Sequence, residues 1–184
     1  MSNIVFVSPS KYVQGKGALK QIGEYVRDFG KKPLVLADEV VWGITKDTII
    51  TSFTKNSLDY EYIKFNGEAS SKEINRVARI GNENKVDVVV GVGGGKTLDT
   101  AKAIADELNQ SVIIVPTTAS TDAPTSGLSV IYTEEGAFES YRFYKKNPDL
   151  VLVDTAIVVK APARLFASGI ADAMATWIEA RATF

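Results

Sequence analysis

Short, nearly continuous apolar runs alternate along the chain with longer stretches whose apolar residues recur every three or four positions. The runs are Pro33 to Ala37 (PLVLA), Tyr60 to Phe65 (YEYIKF), Val86 to Val92 (VDVVVGV), Ser111 to Val115 (SVIIV) and Leu150 to Val153 (LVLV). Several are rich in β-branched residues and do not alternate with polar ones, which predicts strands covered on both faces. Between them, Leu19, Ile22, Val26 and Phe29 form a helical stripe that Gly30 would stop. Val40, Val41, Ile44 and Phe53 suggest a second stripe. Ser70 and Glu73 fit a capping box ahead of Ile74, Val77, Ala78 and Gly81. Leu98, Ala101, Ala105 and Leu108 make a fourth. The strands start 27, 26, 25 and then 39 residues apart. Alternation at this period predicts an α/β fold, doubly wound, with a mainly parallel sheet. The long last interval holds an insertion: Ser129 to Thr133 and Ala137 to Tyr144 flank Glu134–Glu135–Gly136, the signal of a β-hairpin. After Asp154 the pattern changes, and Pro162 precedes an Ala-rich helical stretch running to Phe184. An α/β domain is therefore expected over 1–160, followed by a helix over 161–184. Trp42 and Trp177, and Tyr141 and Tyr144 on the hairpin, are expected to pack. Lys31 and Lys32 are expected to be solvated at a turn.

Composition narrows the chemistry. Of 184 residues, 45% are hydrophobic and 23% charged, as in ordinary folded domains. The 21 basic and 22 acidic residues give a net charge of -1, so no general electrostatic grip on nucleic acid is expected. No apolar run approaches the roughly 18 residues of a membrane helix, and no signal-peptide pattern opens the chain. A cytoplasmic protein without a membrane partner is expected. Cys is absent, which removes disulfides, thiolate metal sites and Cys nucleophiles. His is absent too, which removes Ser–His–Asp triads, His-ligated metals and imidazole acid–base chemistry from this chain.

The strongest local signal is Gly91–Val92–Gly93–Gly94–Gly95–Lys96–Thr97, between a strand and a helix. That is where open α/β sheets bind ligands. Glycines let the backbone approach a pyrophosphate, and the free N–H groups of the following helix attract anions. Lys96 would add a charge. The turn is not a Walker loop, because Val90 stands where that pattern needs Gly. It is not G-x-G-x-x-G either, because the third glycine would be Lys96. Phosphate binding is expected, with a tight turn for helix–strand packing as the alternative. Asp38, directly after a strand, suits the two hydroxyls of an adenosine ribose, and would repel the 2′-phosphate of NADP; it also suits a helix N-cap. Pro116 to Asp122 is a second polar loop on the same edge. Asp122 there could bind a polyol or satisfy local backbone. Asp172 lies among small and apolar residues, where it could be a helix-terminal charge or one metal ligand. One carboxylate is not a site.

Three blocks carry a resemblance: GVGGGKTLDTAKA (Gly91 to Ala103), VPTTASTDAPTSGLSVIY (Val115 to Tyr132) and NPDLVLVDTAIVVKAPARLFASGIADAMATWIEARA (Asn147 to Ala182). Together they closely resemble the glycerol dehydrogenases of the iron-containing, polyol-oxidising alcohol dehydrogenase superfamily. The resemblance covers essentially the whole chain but only the N-terminal half of such an enzyme. It implies an NAD-binding α/β domain over 1–160 and, over 161–184, the first helix of a helical, metal-binding domain. It implies that Asp38 holds the adenosine ribose and that Gly93, Gly94, Gly95 and Lys96 hold the pyrophosphate. Thr117, Thr118, Ser126, Leu128 and Tyr132 would line the NAD cleft. Asp122 would contact the substrate's hydroxyls, and Asp172 would be this half's one metal ligand. Iron-type relatives carry His four residues after this Asp. Here that position is Thr176, which resembles the zinc-using branch. The implied reaction is NAD-linked oxidation of glycerol, or a similar small polyol, to dihydroxyacetone in a homo-oligomer. A truncated half is expected to bind zinc poorly and to turn over little alone. Two alternatives remain: a relative acting on a phosphorylated substrate, such as a glycerol-1-phosphate dehydrogenase, and a non-catalytic nucleotide-binding module.

Overall fold

The computed structural model describes residues 6–182. The chain begins with β1 (Lys11–Gly15), a 3-10 turn (Ala18–Gln21) and a short helix α1 (Ile22–Val26). Strand β2 (Pro33–Ala37), helix α2 (Glu39–Lys55), β3 (Glu61–Lys64), α3 (Ser71–Glu83), β4 (Val88–Gly93), α4 (Gly95–Leu108) and β5 (Ser111–Pro116) follow in strict alternation. A hairpin of β6 (Leu128–Tyr132) and β7 (Phe138–Phe143) precedes β8 (Leu150–Asp154), the short α5 (Thr155–Val158) and α6 (Ala163–Ala182). The last two residues of the expected C-terminal helix, 183 and 184, lie outside the described residues.

All five apolar runs are strands, and they join β1 in one wholly parallel sheet of order β1-β8-β5-β4-β2-β3. The hairpin is a separate antiparallel pair. Successive residues of a strand face opposite sides, and each side has its own core. Leu34, Leu36, Val89, Val112, Ile114 and Val151 face α3, α4 and β6. Val35, Val88, Val90, Ile113, Leu150 and Leu152 face the 3-10 turn, α1 and α2. Gly91 makes the first contact possible: a Cβ there would stand 2.5 Å from Ala101 Cβ, so only glycine lets α4 close on β4.

The sequence pattern does not predict β1. It is an edge strand, paired only with β8, and it carries polar residues with Tyr12 exposed and Val13 half-buried. Edge strands need no apolar run. The first helical stripe is broken into the 3-10 turn and α1, although Leu19, Ile22 and Val26 are buried as expected. On α2 the expected stripe is wrong in part. Thr45, Ile49, Ser52 and Phe53 face the core, whereas Val40 and Ile44 are exposed. The expected packing of Trp177 and Tyr141 is also corrected. Both are exposed, Trp177 under the guanidinium of Arg181 and Tyr141 in an outer aromatic row with Phe138 and Phe143. Trp42 does pack, stacked on Tyr62 at 4.1 Å. Lys32 is not merely solvated, since it lies 3.7 Å from Asp59 and 3.8 Å from Glu61.

Candidate functional site

The strand order reverses direction between β2 and β4: the chain runs outward from β2 to β3 on one side and from β4 to β5 to β8 on the other. Ligands of open α/β sheets sit beyond the carboxyl ends of the strands at such a point. Asp38 follows β2 there, and Gly94 follows β4. Three cavities open along this edge. The largest, about 1370 Å³, is lined by Asp38, Val40 and Ile44, by residues 65–67 after β3, and by Thr117 and Thr118 after β5. Exposure of Val40 and Ile44 is thus exposure to a cleft. A second cavity of about 590 Å³ lies between loop residues 118–125 and the β8–α6 segment. A third, of about 300 Å³, is lined by Gly95, Lys96, Asp122, Ser126, Leu128 and Tyr132. Thr118 borders the first two, while Thr121 and Asp122 border the second and third.

The glycine turn divides by what each residue needs. Gly93 has φ +156°, and a Cβ on it would stand 2.8 Å from Thr97 Oγ1. Its carbonyl accepts from Thr117 N at 3.0 Å, which ties the two loops together. Gly95 approaches Thr121 Cγ2, at 3.2 Å from its notional Cβ. Gly94 has ordinary extended dihedrals, φ -92° and ψ -178°, and a Cβ there meets nothing closer than Thr118 Oγ1 at 3.9 Å. It is the N-cap of α4 and offers no side-chain oxygen to the helix. The first N–H groups of a helix have no partner inside it, so those opening α4 face the cleft uncapped. These features fit a pyrophosphate.

The other candidates divide between local and open roles. Asp38 Oδ1 accepts from Val41 N at 2.9 Å, so it is the N-cap of α2 while also lining the largest cleft. Lys96 Nζ bonds Glu68 Oε2 at 2.7 Å and lies 5.0 Å over the Tyr132 ring. Its charge is therefore already partnered across the third cavity's rim. Thr118 Oγ1 and Ser120 Oγ are 3.1 Å apart. Asp122 is exposed; its N–H donates to Asp172 Oδ2 at 3.0 Å, and its carbonyl accepts from Thr125. The loop and α6 are thus brought together where the sequence places Asp122 and Asp172. Gly169 makes that approach possible, because a Cβ on it would stand 2.0 Å from Ala119 O. Asp172 does not make a metal site with these neighbours. Among the described residues no group of three His, Cys, Asp or Glu is placed to hold an ion, whereas zinc sites use three or four protein ligands.

Sequence reasoning missed Asp99 and Lys102, both buried on α4. Lys102 Nζ lies 2.9 Å from Asp99 Oδ1 and donates to the carbonyls of Ala123 (2.9 Å), Ser126 (3.3 Å) and Leu128. Asp99 Oδ2 accepts from Val130 N at 3.1 Å, and its carbonyl accepts from Ser129 Oγ. Burial pushes the Asp99 carboxyl up and the Lys102 ammonium down, and their mutual attraction opposes both shifts. The available signal was a charged pair three residues apart on a helical face otherwise made of Leu98, Ala101 and Ala105.

Comparison with known proteins gives one consistent answer. The family profile of the iron-containing alcohol dehydrogenases matches residues 9–155. The glycerol dehydrogenase of Pseudomonas putida is 52% identical over 175 residues, which cover 95% of this chain and 48% of that protein. The glycolaldehyde reductase of Halobacterium salinarum is 48% identical, covering 97% of this chain and 49% of its own. The crystal structure of glycerol dehydrogenase from Schizosaccharomyces pombe superposes with a TM-score of 0.88 at 45% identity, over 97% of this chain and 45% of that one. The chain spans about half the length of the curated relatives it matches.

Proposed function

The chain belongs to the iron-containing alcohol dehydrogenase family, and from that premise we propose that it binds NAD along the carboxyl edge of its sheet as the nucleotide-binding part of a polyol oxidoreductase. Its substrate is glycerol, as the names of the relatives from Pseudomonas putida and Escherichia coli suggest, and the proposed product is dihydroxyacetone. The glycolaldehyde reductase relative suggests that the same site can serve the reverse direction on a small hydroxyaldehyde. The observation that carries the reading is Gly94, a glycine with ordinary dihedrals and open space around it at an uncapped helix start. Glycine is acceptable at an N-cap, but Ser, Asp or Asn would also cap the helix with a side chain; a ligand that touches backbone accounts for the bare position.

When bound, NAD would accept the hydride from the carbinol carbon. The chain's own residues bind and orient. Backbone N–H groups at Gly95 and Lys96 receive the pyrophosphate, and Asp38 Oδ2, not used by its cap, receives a ribose hydroxyl. Thr117, Thr118, Ser126, Leu128 and Tyr132 wall the cleft, with Gly93 holding the turn. Asp122, exposed between the second and third cavities, accepts hydrogen bonds from the polyol hydroxyls. Zinc belongs to the same proposal with one condition. Asp172 would supply a single ligand, and the others must come from outside the described residues. Residues 161–184 are proposed as the first helix of a second, helical domain, and the enzyme as a cytoplasmic homo-oligomer. Among the described residues no helix is long and apolar enough to cross a membrane. A phosphorylated substrate is disfavoured, because the cation lining the cavity beside Asp122 and Ser126 is Lys96, already paired with Glu68.

Calorimetric titration tests the reading. Saturable NAD binding is expected, with NADP weaker because Asp38 repels a 2′-phosphate. Equal affinity for the two would remove Asp38 from the ribose site, and no NAD binding at millimolar concentration would overturn the proposal.

A further inference from the structure

Lys102 is a lysine with no access to solvent worth the name: it is 3% exposed, and Asp99 beside it is 6% exposed. An ammonium has three protons, and here three backbone carbonyls, of Ala123, Ser126 and Leu128, receive them. Asp99 Oδ1 sits 2.9 Å from the ammonium and balances its charge. The other Asp99 oxygen pins Val130 N, and Ser129 Oγ pins the Asp99 carbonyl. One ion pair on α4 thus fixes the backbone from residue 123 to residue 130, in which regular structure begins only at Leu128. The same residues face the other way as well. Ala123, Ser126, Leu128 and Val130, and Asp99 itself, line the 300 Å³ cavity beside Gly95 and Lys96, whereas Lys102 does not.

We infer that Lys102, held by Asp99, is a positioning residue: by drawing three carbonyls inward it sets the wall of the third cavity, and so governs the half of the dinucleotide beyond the pyrophosphate without touching it. The inference rests on the NAD-binding reading above. A buried ion pair is costly to assemble, and hydrophobic replacements are often as stable; positioning explains its presence where stability alone does not. Asp38 lines the largest cavity, away from this cage; Gly95 and Lys96 share the third cavity with it, but none of the cage's hydrogen bonds reaches their backbone. Hence a ligand that stops at the pyrophosphate should not depend on it.

The test compares ADP with NAD. In Lys102→Met combined with Asp99→Leu, which removes both charges together, ADP affinity is expected to stay within about twofold and NAD affinity to fall about tenfold or more. Lys102→Arg with Asp99 intact is expected to recover part of the loss. Equal losses for both ligands, or none for either, would overturn the inference while leaving NAD binding by the unaltered chain intact. Failure of that chain to bind NAD would instead overturn the parent reading, and this inference with it. If the variants do not fold, the unaltered protein still decides. The Lys102 Nζ resonance in a nitrogen-detected NMR experiment should be slow to exchange and should move on adding NAD but not ADP. A signal indifferent to NAD would refute the role.

Discussion

Gly91, in β4, and Gly94, at the start of α4, sit three residues apart, yet they are glycines for different reasons. A methyl group at Gly91 collides with Ala101 Cβ at 2.5 Å, inside the sheet–helix core. Overpacking of this kind costs about 1–3 kcal/mol. Gly91→Ala should therefore lower the urea midpoint, and cofactor affinity should suffer only as the fold does. A methyl group at Gly94 meets nothing inside 3.9 Å, in a backbone conformation open to any residue. Gly94→Ala should cost about 0.5 kcal/mol of stability as a poorer N-cap and weaken NAD binding about tenfold, equivalent to about 1.4 kcal/mol. A Gly94→Ala protein that binds NAD normally would show that nothing approaches the turn there. At this scale the sequence marked the strand-to-helix turn at Gly93–Gly95 and the N-cap alternative for Asp38, both of which the structure shows. It was illegible at Lys102, because the carbonyls that give it meaning lie 21, 24 and 26 residues along the chain and belong to no residue type.

Strands were legible where burial or a turn signal marked them. Strands β2, β4, β5 and β8 are covered on both faces and announce themselves as apolar runs. Edge strand β1 does not, and the start of α2 misleads because its apolar face lines a cleft instead of a core. Helix α3 shows how an element end shapes the cleft. Ser70 Oγ accepts from Glu73 N as the capping signal requires. The Glu73 carboxylate does not return to the cap. It takes Asn66 N, Asn66 Nδ2 and the Arg76 guanidinium, so it anchors the loop at residue 66 that borders the largest cavity. Burial alone would raise the Glu73 carboxyl, but the Arg76 and Asn66 donors outweigh it and hold it below its ordinary 4.5. A lowered carboxylate stabilises the fold above its unfolded value and loses that contribution as pH falls through the folded one. Glu73→Gln should thus cost about 1–2 kcal/mol near neutral pH. Its deficit against the unaltered protein should shrink as pH falls below about 4.5. Urea melts at several pH values check this, and a deficit independent of pH would mean that the charge is not what holds the loop. At the other end of the cleft, Gly169→Ala should push α6 off the loop at Ala119 and break the Asp122–Asp172 bond. The Asp122 amide should then exchange with solvent faster, and an unchanged rate would mean that α6 is not held there.

The whole molecule is two cores on one sheet with a helix that belongs to neither. Helix α6 is 20 residues long, and none of them is buried. Phe166, Ile170, Met174, Trp177 and Ile178 are all exposed, between 50% and 65%. Cooperative stability comes from buried apolar contacts, and segments without them open locally at little cost. Burial of Ile104 is complete and part of the α4 core. Ile104→Ala should cost about 2–5 kcal/mol of global stability. Ile178→Ala removes a similar side chain from α6 and should cost less than about 0.5 kcal/mol. Amide exchange separates the two situations in the unaltered protein. Protection in β4 and β5 should track global unfolding, because these central strands exchange only when both cores open. Protection in α6 should be far lower and should not follow denaturant, since its opening exposes little new surface. If Ile178→Ala destabilised the chain as much as Ile104→Ala, α6 would have to bury its apolar side in solution, and the two-core description of this chain would be incomplete.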